Sequence, residues 1–349
     1  MHPPDPSSDE QLKPSADTAV QPRAPGDPPL VSVIIPNWNG GHHLPACLES
    51  LRRQRYPSIE VIVADNGSTD GSLELLARDY PEVQVVALGE NRGFAGACNA
   101  GIQAAQGELV ALLNNDTETD GLWLEEVVAA FQRHPEAGLV ASKMLLFDRR
   151  DTFHTAGDFY RTDGIPGNRG VWQKDVGQYE REEYVFSACG GSAAYRKVML
   201  EQIGLLDEDF FYSCEDVDLA WRAQLTGWRC IYAPRAVVYH KLSATGGGAT
   251  ASFYDGRNVI YLLAKDYPRD LWRRHWRAIL RAQLRITGEA LRAWRGTAAR
   301  ARLRGQLAGL LGVLKMVRKR RTVQRSRTVD SSYFEGILAG PEGDIPPFQ

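Results

Sequence analysis

The chain has 349 residues, 43% hydrophobic and 24% charged, the proportions of an ordinary globular protein long enough for one large α/β domain with appendages. Its net charge of −2 hides a split: residues 269–328 carry 18 Lys and Arg against two acids, whereas residues 1–268 carry 23 against 37. No window reaches about 18 uncharged apolar residues, so no transmembrane helix is expected, and five cysteines without a CxxC spacing argue against a disulfide framework or a zinc site and for a reducing compartment.

Residues 1–29 are rich in Pro, Ser and Asp and lack an apolar segment, so they read as a disordered leader and not as a signal peptide. "LVSVIIPNWNG" from Leu30 is a β-branched apolar run ending in polar turn residues, the pattern of a buried strand feeding a loop. "HLPACLESLRRQ" follows, with Leu44, Cys47, Leu48 and Leu51 at helical spacing. The alternation continues through a strand and loop in "IEVIVADNGSTDGS", a helix in "LELLARDY", a strand in "VQVVALG", a small-residue helix in "GFAGACNAGIQAAQG" and a fourth strand in "ELVALLNND". This predicts an α/β fold, a mostly parallel sheet flanked by helices. Such sheets bind ligands at the carboxyl ends of their strands, so Asn37–Asn39, Asp65–Ser68 and Asn114–Asp116 are expected to meet at one edge.

Beyond about residue 145 the pattern loosens into "FHTAGDFYRTDGIPGNRGVWQKDVGQ", rich in Gly and polar residues, the signature of a long functional loop region. "CGGSAAYRKVMLEQIG" reads as a turn then a helix, "VDLAWRAQLTG" as a helix and "RCIYAPRAVVYH" as a strand. From Leu271 to Arg321 the pattern is helical, with Trp272, Trp276, Ile279, Leu280, Leu284, Leu291 and Trp294 near one side and arginines elsewhere. The expected plan is a leader over 1–29, a catalytic domain over 30–268, basic amphipathic helices over 269–328 and a flexible tail over 329–349.

Dinucleotide and P-loop chemistry lose their simplest support, because no GxGxxG follows the first strand and no GxxxxGK[ST] occurs. Asp65, ending the second strand, can accept a hydrogen bond from a pyrimidine N–H or a ribose hydroxyl, or close an Asx-turn in "DNGSTDGS". Asp116 ends an apolar strand, where a carboxylate can cap a turn or ligate a hard cation. His240 ends another β-like run; imidazole suits Mn²⁺, although a histidine at a strand end is more often a surface or core residue. "FFYSCEDVDLAWR", residues 210–222, sets two aromatics and a tyrosine ahead of Glu215, Asp216 and Asp218. Acids at a helix start are stabilised by its dipole; one of them is also suited to take a proton from an acceptor hydroxyl. The pair Gly190–Gly191 would let the backbone approach a phosphate or sugar closely.

These pieces, in this order, resemble the family 2 glycosyltransferases with the GT-A fold, especially the rhamnosyltransferase-like branch. The resemblance spans about residues 30 to 245 and rests on "VSVIIPNWNG", "VIVADNGSTDGS", "ENRGFAGACNAGI", "LLNNDTE", "CGGSAAYRK", "IGLLDEDFFYSCEDVDLAWRAQLTGW" and "VVYHKLSAT". It implies an inverting transferase that uses a nucleotide-diphospho sugar and a divalent cation, Mg²⁺ or Mn²⁺. Pro36, Asn37, Trp38 and Asn39 match the family's first nucleotide-binding loop. Asp65 matches the carboxylate that reads the pyrimidine, and Arg92 and Asn99 match positions near the nucleotide. Asn114-Asn115-Asp116 stands where the family carries DxD, so Asp116 matches its last acid, and His240 matches a second metal ligand. Asp216 matches the catalytic base, with Glu215 beside it. One carboxylate and one imidazole make a weak metal site, so the metal is expected to bind mainly together with the sugar nucleotide.

The resemblance further implies a dTDP- or UDP-sugar donor, dTDP-rhamnose first. It implies a saccharide or lipid-linked acceptor in cell-surface polysaccharide synthesis, in the cytoplasm or at the inner face of the cell membrane. Arg with Trp on the C-terminal helices fits the headgroup region of an anionic membrane; the competing account packs Trp272, Trp276 and Trp294 on the catalytic domain. Nucleic acid is not an expected partner, since no reader motif accompanies the basic segment. Two other functions compete: a metal-dependent nucleotidyl- or phosphotransferase with Asp65, Asp116 and Glu215 around the metal, and a non-catalytic family member acting as a binding partner.

Overall fold

The computed structural model describes residues 27–241 and 248–341, so nearly all of the expected leader, and part of "VVYHKLSAT", lie outside the described residues. The strands β1 (Val31–Asn37), β2 (Ile59–Asp65), β3 (Gln84–Ala87) and β4 (Leu109–Leu113) alternate with α1 (Leu44–Arg52), α2 (Ser72–Asp79) and α3 (Gly93–Ala104). β1 lies parallel to both β2 and β4, and β2 parallel to β3. Side chains alternate across the sheet as the pleat requires. Val31, Val33 and Ile35 join one buried cluster with α1, and Ile34 joins the other with α3. The small residues of α3 let it lie directly on the sheet: a Cβ on Gly101 would stand 2.2 Å from Ile34 Cγ2.

Next come β5 (Thr117–Thr119), α4 (Trp123–Arg133), β6 (Ala137–Leu146), β7 (Phe153–Ala156), β8 (Asp158–Tyr160), β9 (Pro166–Asn168), β10 (Glu183–Val185), β11 (Ser192–Arg196), α5 (Lys197–Ile203), α6 (Glu215–Leu225) and β12 (Arg229–His240). The main sheet has the order β10-β12-β6-β11-β4-β1-β2-β3. β11 corrects the expectation of a turn followed directly by a helix: it pairs antiparallel with both β4 and β6. Ala193 and Ala194 are buried in the clusters on opposite faces of the sheet. Small side chains suit that tight centre, yet in sequence alanine carries a helical signal.

The topology decides where the site forms. β12 is parallel to β6, and both β4 and β6 run opposite to β11. The carboxyl ends of β4 and β12 and the residues just ahead of β11 therefore share one edge of the sheet. Asn114–Asp116, His240 and Gly190–Gly191 come together there.

The C-terminal region comprises α7 (Ala249–Lys265), α8 (Arg269–Arg292), α9 (Thr297–Arg325) and α10 (Ser331–Ile337). It shares a core with the sheet-bearing part of the chain, since Leu271, Ile279, Met316, Val323 and Phe334 belong to the same buried cluster as Leu219 and Trp221 of α6. α9 packs on α7 at close range: a Cβ on Gly305 would lie 2.0 Å from the Phe253 carbonyl oxygen. Lys265 Nζ binds Asp207 at 2.7 Å and also Asp218, fastening α7 to the loop ahead of α6 and to α6 itself. The tail expected to be flexible over 329–349 is helical at 331–337, where Phe334 packs on Trp221 with ring centroids 5.3 Å apart. A seven-residue helix that buries only Phe334 and Ile337 leaves no periodic signature in sequence. Residues 342–349 lie outside the described residues, among which no helix is long and apolar enough to cross a membrane.

Candidate active site

The loop entering α6 is strained. Phe211, Ser213 and Cys214 have φ of 61°, 68° and 67°, a left-handed conformation that costs a non-glycine residue about 1–3 kcal/mol. α7 holds it in place. The fully buried Asn258 directs its Nδ2 at the carbonyls of Phe210, Tyr212 and Ser213, at 3.0, 2.9 and 2.6 Å. Arg257 donates to the carbonyls of Asp209 and Phe210 at 2.8 and 2.7 Å, and Ser213 Oγ donates to Asp255 at 2.6 Å. The three acids of the run then part company. Asp218 is buried against Arg222 at 2.8 Å and Lys265, so it anchors the helix. Glu215 and Asp216 line a cleft of about 650 Å³.

Asp216 is held by two backbone amides: Gly190 N–H donates to Oδ2 at 2.7 Å and Val217 N–H to Oδ1 at 2.8 Å. Burial raises its pKa, and those two bonds oppose the rise. Glu215 is pushed well above the carboxylate range by burial and then by the Asp216 charge, and its Oε2 has no partner among the described residues. Burial thus raises both acids, Glu215 the further of the two, while the two amide bonds favour the charged form of Asp216 alone, an asymmetry that suits one as a supporting group and the other as a base. Asp158 is a third carboxyl, which the sequence reading did not single out. Burial, with the Asp216 charge adding to it, pushes its pKa up to about 8. Its Oδ1 accepts from Thr155 Oγ1 at 2.6 Å and Asn168 Nδ2 at 3.0 Å. Oxygens of Asp158 and Asp216 and the sulfur of Cys189 lie within 4.8 Å of one another. The only signal for Asp158 was its place in the long polar loop region.

Across the cleft, Asp116 Oδ1 and His240 Nε2 are 3.1 Å apart, and both residues are more than nine-tenths buried. Burial alone would raise the Asp116 pKa, but the hydrogen bond from His240 and the nearby imidazoles hold it below the usual range. His240 Nδ1 meets His154 Nδ1 at 3.1 Å, and burial followed by His240 pushes His154 down to about 3, so its ring is neutral. His240 Nε2 also stands 3.4 Å from Asn114 Nδ2. A cation taken at Nε2 would leave the ring proton on Nδ1, toward His154. The pair fits a hard cation, since two ligands at right angles and about 2.1 Å from an octahedral ion stand about 3 Å apart. Asp158, Cys189 and Asp216 fit one poorly: burial keeps the Cys189 thiol protonated and Asp158 neutral.

Of the other residues singled out in sequence, Pro36, Asn37, Trp38, Asn115, Gly190 and Gly191 line the cleft. Asp65 lies one layer behind. Asn115 Nδ2 donates to Asn37 Oδ1 at 2.8 Å, Asn37 Nδ2 to Asp65 Oδ1 at 3.1 Å, and Ser68 N–H to Asp65 Oδ2 at 3.0 Å. Asp65 thus closes the Asx-turn and braces Asn37. Asn39 sits on the same loop, with its N–H on Ser68 Oγ at 2.9 Å. Arg92 and Asn99 are not brought to the cleft. α3 turns Gly93 and Phe94 toward it, while Asn99 bonds both backbone groups of Leu206 and Arg92 pairs with Glu208 at 3.1 Å on the surface. A metal centre built from Asp65, Asp116 and Glu215 gains no support, because Asp65 is spent within its loop. The sequence also missed His154, Tyr254, Asp255, Ile286 and Arg302, all of which line the cleft.

Residues 32–204 match the profile described as Glycosyl transferase family 2. The chain belongs to this family. It is 27% identical over 284 residues to an N-acetylglucosaminyl-diphospho-decaprenol L-rhamnosyltransferase of Mycobacterium tuberculosis, covering 74% of this glycosyltransferase and 91% of that one. Among solved structures it resembles a mannosyltransferase from Pyrobaculum calidifontis in complex with GDP-Man and Mn²⁺, with TM-score 0.52, 19% identity and coverage of 89% and 83%. It also resembles TarS residues 1–349 of S. aureus, with TM-score 0.53, 20% identity and coverage of 85% and 90%. These likenesses establish the GT-A-like fold of the transferase.

The raised pKa of Asp158 carries a stability consequence. Between its ordinary value of 3.8 and about 8, the folded chain binds a proton that the unfolded chain has lost. Its contribution is therefore complete below the lower value and is lost as pH rises through the upper one. Asp158→Asn removes this titration. In urea unfolding the variant is expected to gain at least about 1 kcal/mol on the native protein between pH 5 and pH 8. A difference independent of pH contradicts the neutral carboxyl.

Proposed function

We propose that the chain is an inverting, metal-dependent hexosyltransferase that moves a sugar, rhamnose foremost, from a dTDP- or UDP-sugar to a saccharide or lipid-linked acceptor in cell-surface polysaccharide synthesis. The observation that carries this reading is one cleft holding the amide-bound Asp216 together with the Asp116–His240 pair. The rhamnose assignment is supported by the printed activity of the mycobacterial relative. The cytoplasm as its compartment is supported by five free cysteines.

Asp116 and His240 would hold Mg²⁺ or Mn²⁺, which when bound neutralises the diphosphate and acts as a Lewis acid toward the leaving group. Asn37 and Asn115 line the donor side, with Asp65 serving the nucleotide from behind by fixing Asn37. The acceptor oxygen forms a bond to the anomeric carbon on the face opposite the nucleotide. The bond from that carbon to the diphosphate oxygen breaks, its electron pair leaves with the nucleoside diphosphate, and the hydroxyl proton passes to Asp216. One displacement inverts the centre, and no second carboxylate nucleophile is needed. Glu215 and Asp158, both neutral, spare Asp216 the repulsion of further charge and offer O–H donors to sugar oxygens.

Asp216→Asn is expected to lower kcat by at least about 10²-fold with the donor Kd little changed; near-normal turnover refutes the assignment. His240→Ala is expected to weaken Mn²⁺-dependent donor binding at least about tenfold, read by calorimetry with and without Mn²⁺, and equal affinities remove His240 from the metal site. A thermal-shift panel of dTDP-, UDP- and GDP-sugars identifies the donor, since the preferred one raises the melting temperature most.

A further inference from the structure

α8 has two apolar sides. Leu271, Ile279, Ala282 and Ala290 face the protein. A second stripe, Trp272, Trp276, Leu280 and Leu284, is spaced four residues apart and is 40%, 46%, 50% and 61% exposed. In the adjoining register stand Arg273, Arg277, Arg281 and Arg285, none of which forms an ion pair among the described residues. α9 repeats the arrangement: Gly305, Gly309 and Met316 are packed, while Leu307, Leu310, Leu311 and Leu314 are bare, at 59–77% exposure. The two helices are antiparallel, as the Asp270–Arg327 ion pair and the Thr287–Gln306 hydrogen bond require. Leu291 and the bare Trp294 flank the turn that joins them.

Both accounts of the tryptophans offered by the sequence therefore meet an answer. Most of the packing side is supplied by other residues; Trp272 meets the buried Tyr267 with ring centroids 6.4 Å apart, and the rest of the Trp–Leu stripe is left over. Lone exposed apolar residues need no partner, but eight such side chains on two adjacent helices mark an interaction surface. The surface is also not placed at random. Ile286 of α8 and Arg302 of α9 line the cleft, so the two helices that carry the bare stripes also form part of its wall.

We propose that the exposed face of α8 and α9 is a docking surface for an anionic lipid bilayer. Indole and leucine side chains would enter the headgroup–acyl boundary while the arginines meet lipid phosphates. A second copy is the weaker fit: face-to-face pairing would oppose two segments that each hold 18 basic residues against two acids. The leader over 1–29 has too few large apolar side chains to cover the stripes. That the cleft mouth thereby faces a lipid-linked acceptor rests on the transfer reading above; the docking itself does not.

The test is flotation of the full chain with phosphatidylcholine vesicles, with and without about one-third phosphatidylglycerol, in the absence of glycolipid and sugar nucleotide. Binding is expected to anionic vesicles, at least about tenfold weaker to neutral ones, and to fall with added salt. Two triple variants are compared: Trp272→Ser, Trp276→Ser and Leu280→Ser, and Arg273→Glu, Arg277→Glu and Arg281→Glu. Each is expected to lose at least about tenfold in vesicle binding while staying folded: the arginine variant keeps the native melting temperature, because its side chains are exposed, and the apolar variant melts slightly lower, because the Trp272 ring touches the buried Tyr267. No flotation of the native chain, or flotation unchanged in both variants, overturns the proposal. Self-association of the native chain that both variants abolish, without vesicle binding, assigns the face to a second copy and also overturns it. A chain that floats but transfers no sugar leaves the docking standing and removes the transfer reading, and the converse holds.

Discussion

The Gly190 amide donates to Asp216 Oδ2 at 2.7 Å, and the next carbonyl, that of Gly191, accepts the Asn114 amide at 3.0 Å. This dipeptide ties Asp216 at the start of α6 to the loop that carries Asp116. It fixes the spacing between the proposed base and the proposed metal ligands with backbone groups, which cannot change rotamer. A Cβ on Gly190 would stand 3.3 Å from Asp216 Oδ2 and one on Gly191 3.1 Å from Met144 Cε, so a side chain at either place would crowd its neighbour. The same amide, with that of Val217, restrains the rise of the Asp216 pKa, so one contact bears on both position and basicity. The dipeptide reaches this edge because β11 runs antiparallel between β4 and β6.

The opposite wall depends on α7. Three left-handed residues precede α6, and a loop of that kind persists only where its surroundings over-determine it. Asn258, Arg257 and Asp255 supply those restraints, and Phe211 stacks on Tyr254 with ring centroids 5.3 Å apart and planes 15° apart. α7 in turn is gripped by α9 through backbone-close glycines. The C-terminal helices thus hold the wall of the cleft in place as well as lining part of it.

Much of this was legible in the sequence, for physical reasons. β1, β2 and β4 are mostly apolar because their central and carboxyl-terminal residues are buried, and each ends in a polar turn beside the cleft. Asp116, Asp216 and His240 were found because strand ends and a helix start mark them. β11 was missed because a strand made of Ser and Ala satisfies a crowded sheet centre while reading as helix. Asp158 and His154 were missed because the short strands around them carry too few residues for periodicity to register. Arg92 and Asn99 lie in a matching motif but face the 205–208 loop, since one helical turn separates residues that touch a ligand from residues that brace the helix. Asp65 illustrates the same limit, because its two oxygens are taken by Asn37 and Ser68, and no sequence pattern tells a bracing carboxylate from a contacting one.

The central claim is that Asp116 and His240, and not the carboxyl–thiol cluster around Asp216, receive the cation that accompanies the diphosphate. Anomalous diffraction from crystals soaked with Mn²⁺ and UDP or dTDP tests it most directly. The account requires a manganese peak bonded to the Asp116 carboxylate, His240 Nε2 and diphosphate oxygens, with Asp216 free of metal. A peak among Asp158, Cys189 and Asp216, or an ordered nucleotide whose cation touches neither Asp116 nor His240, contradicts it.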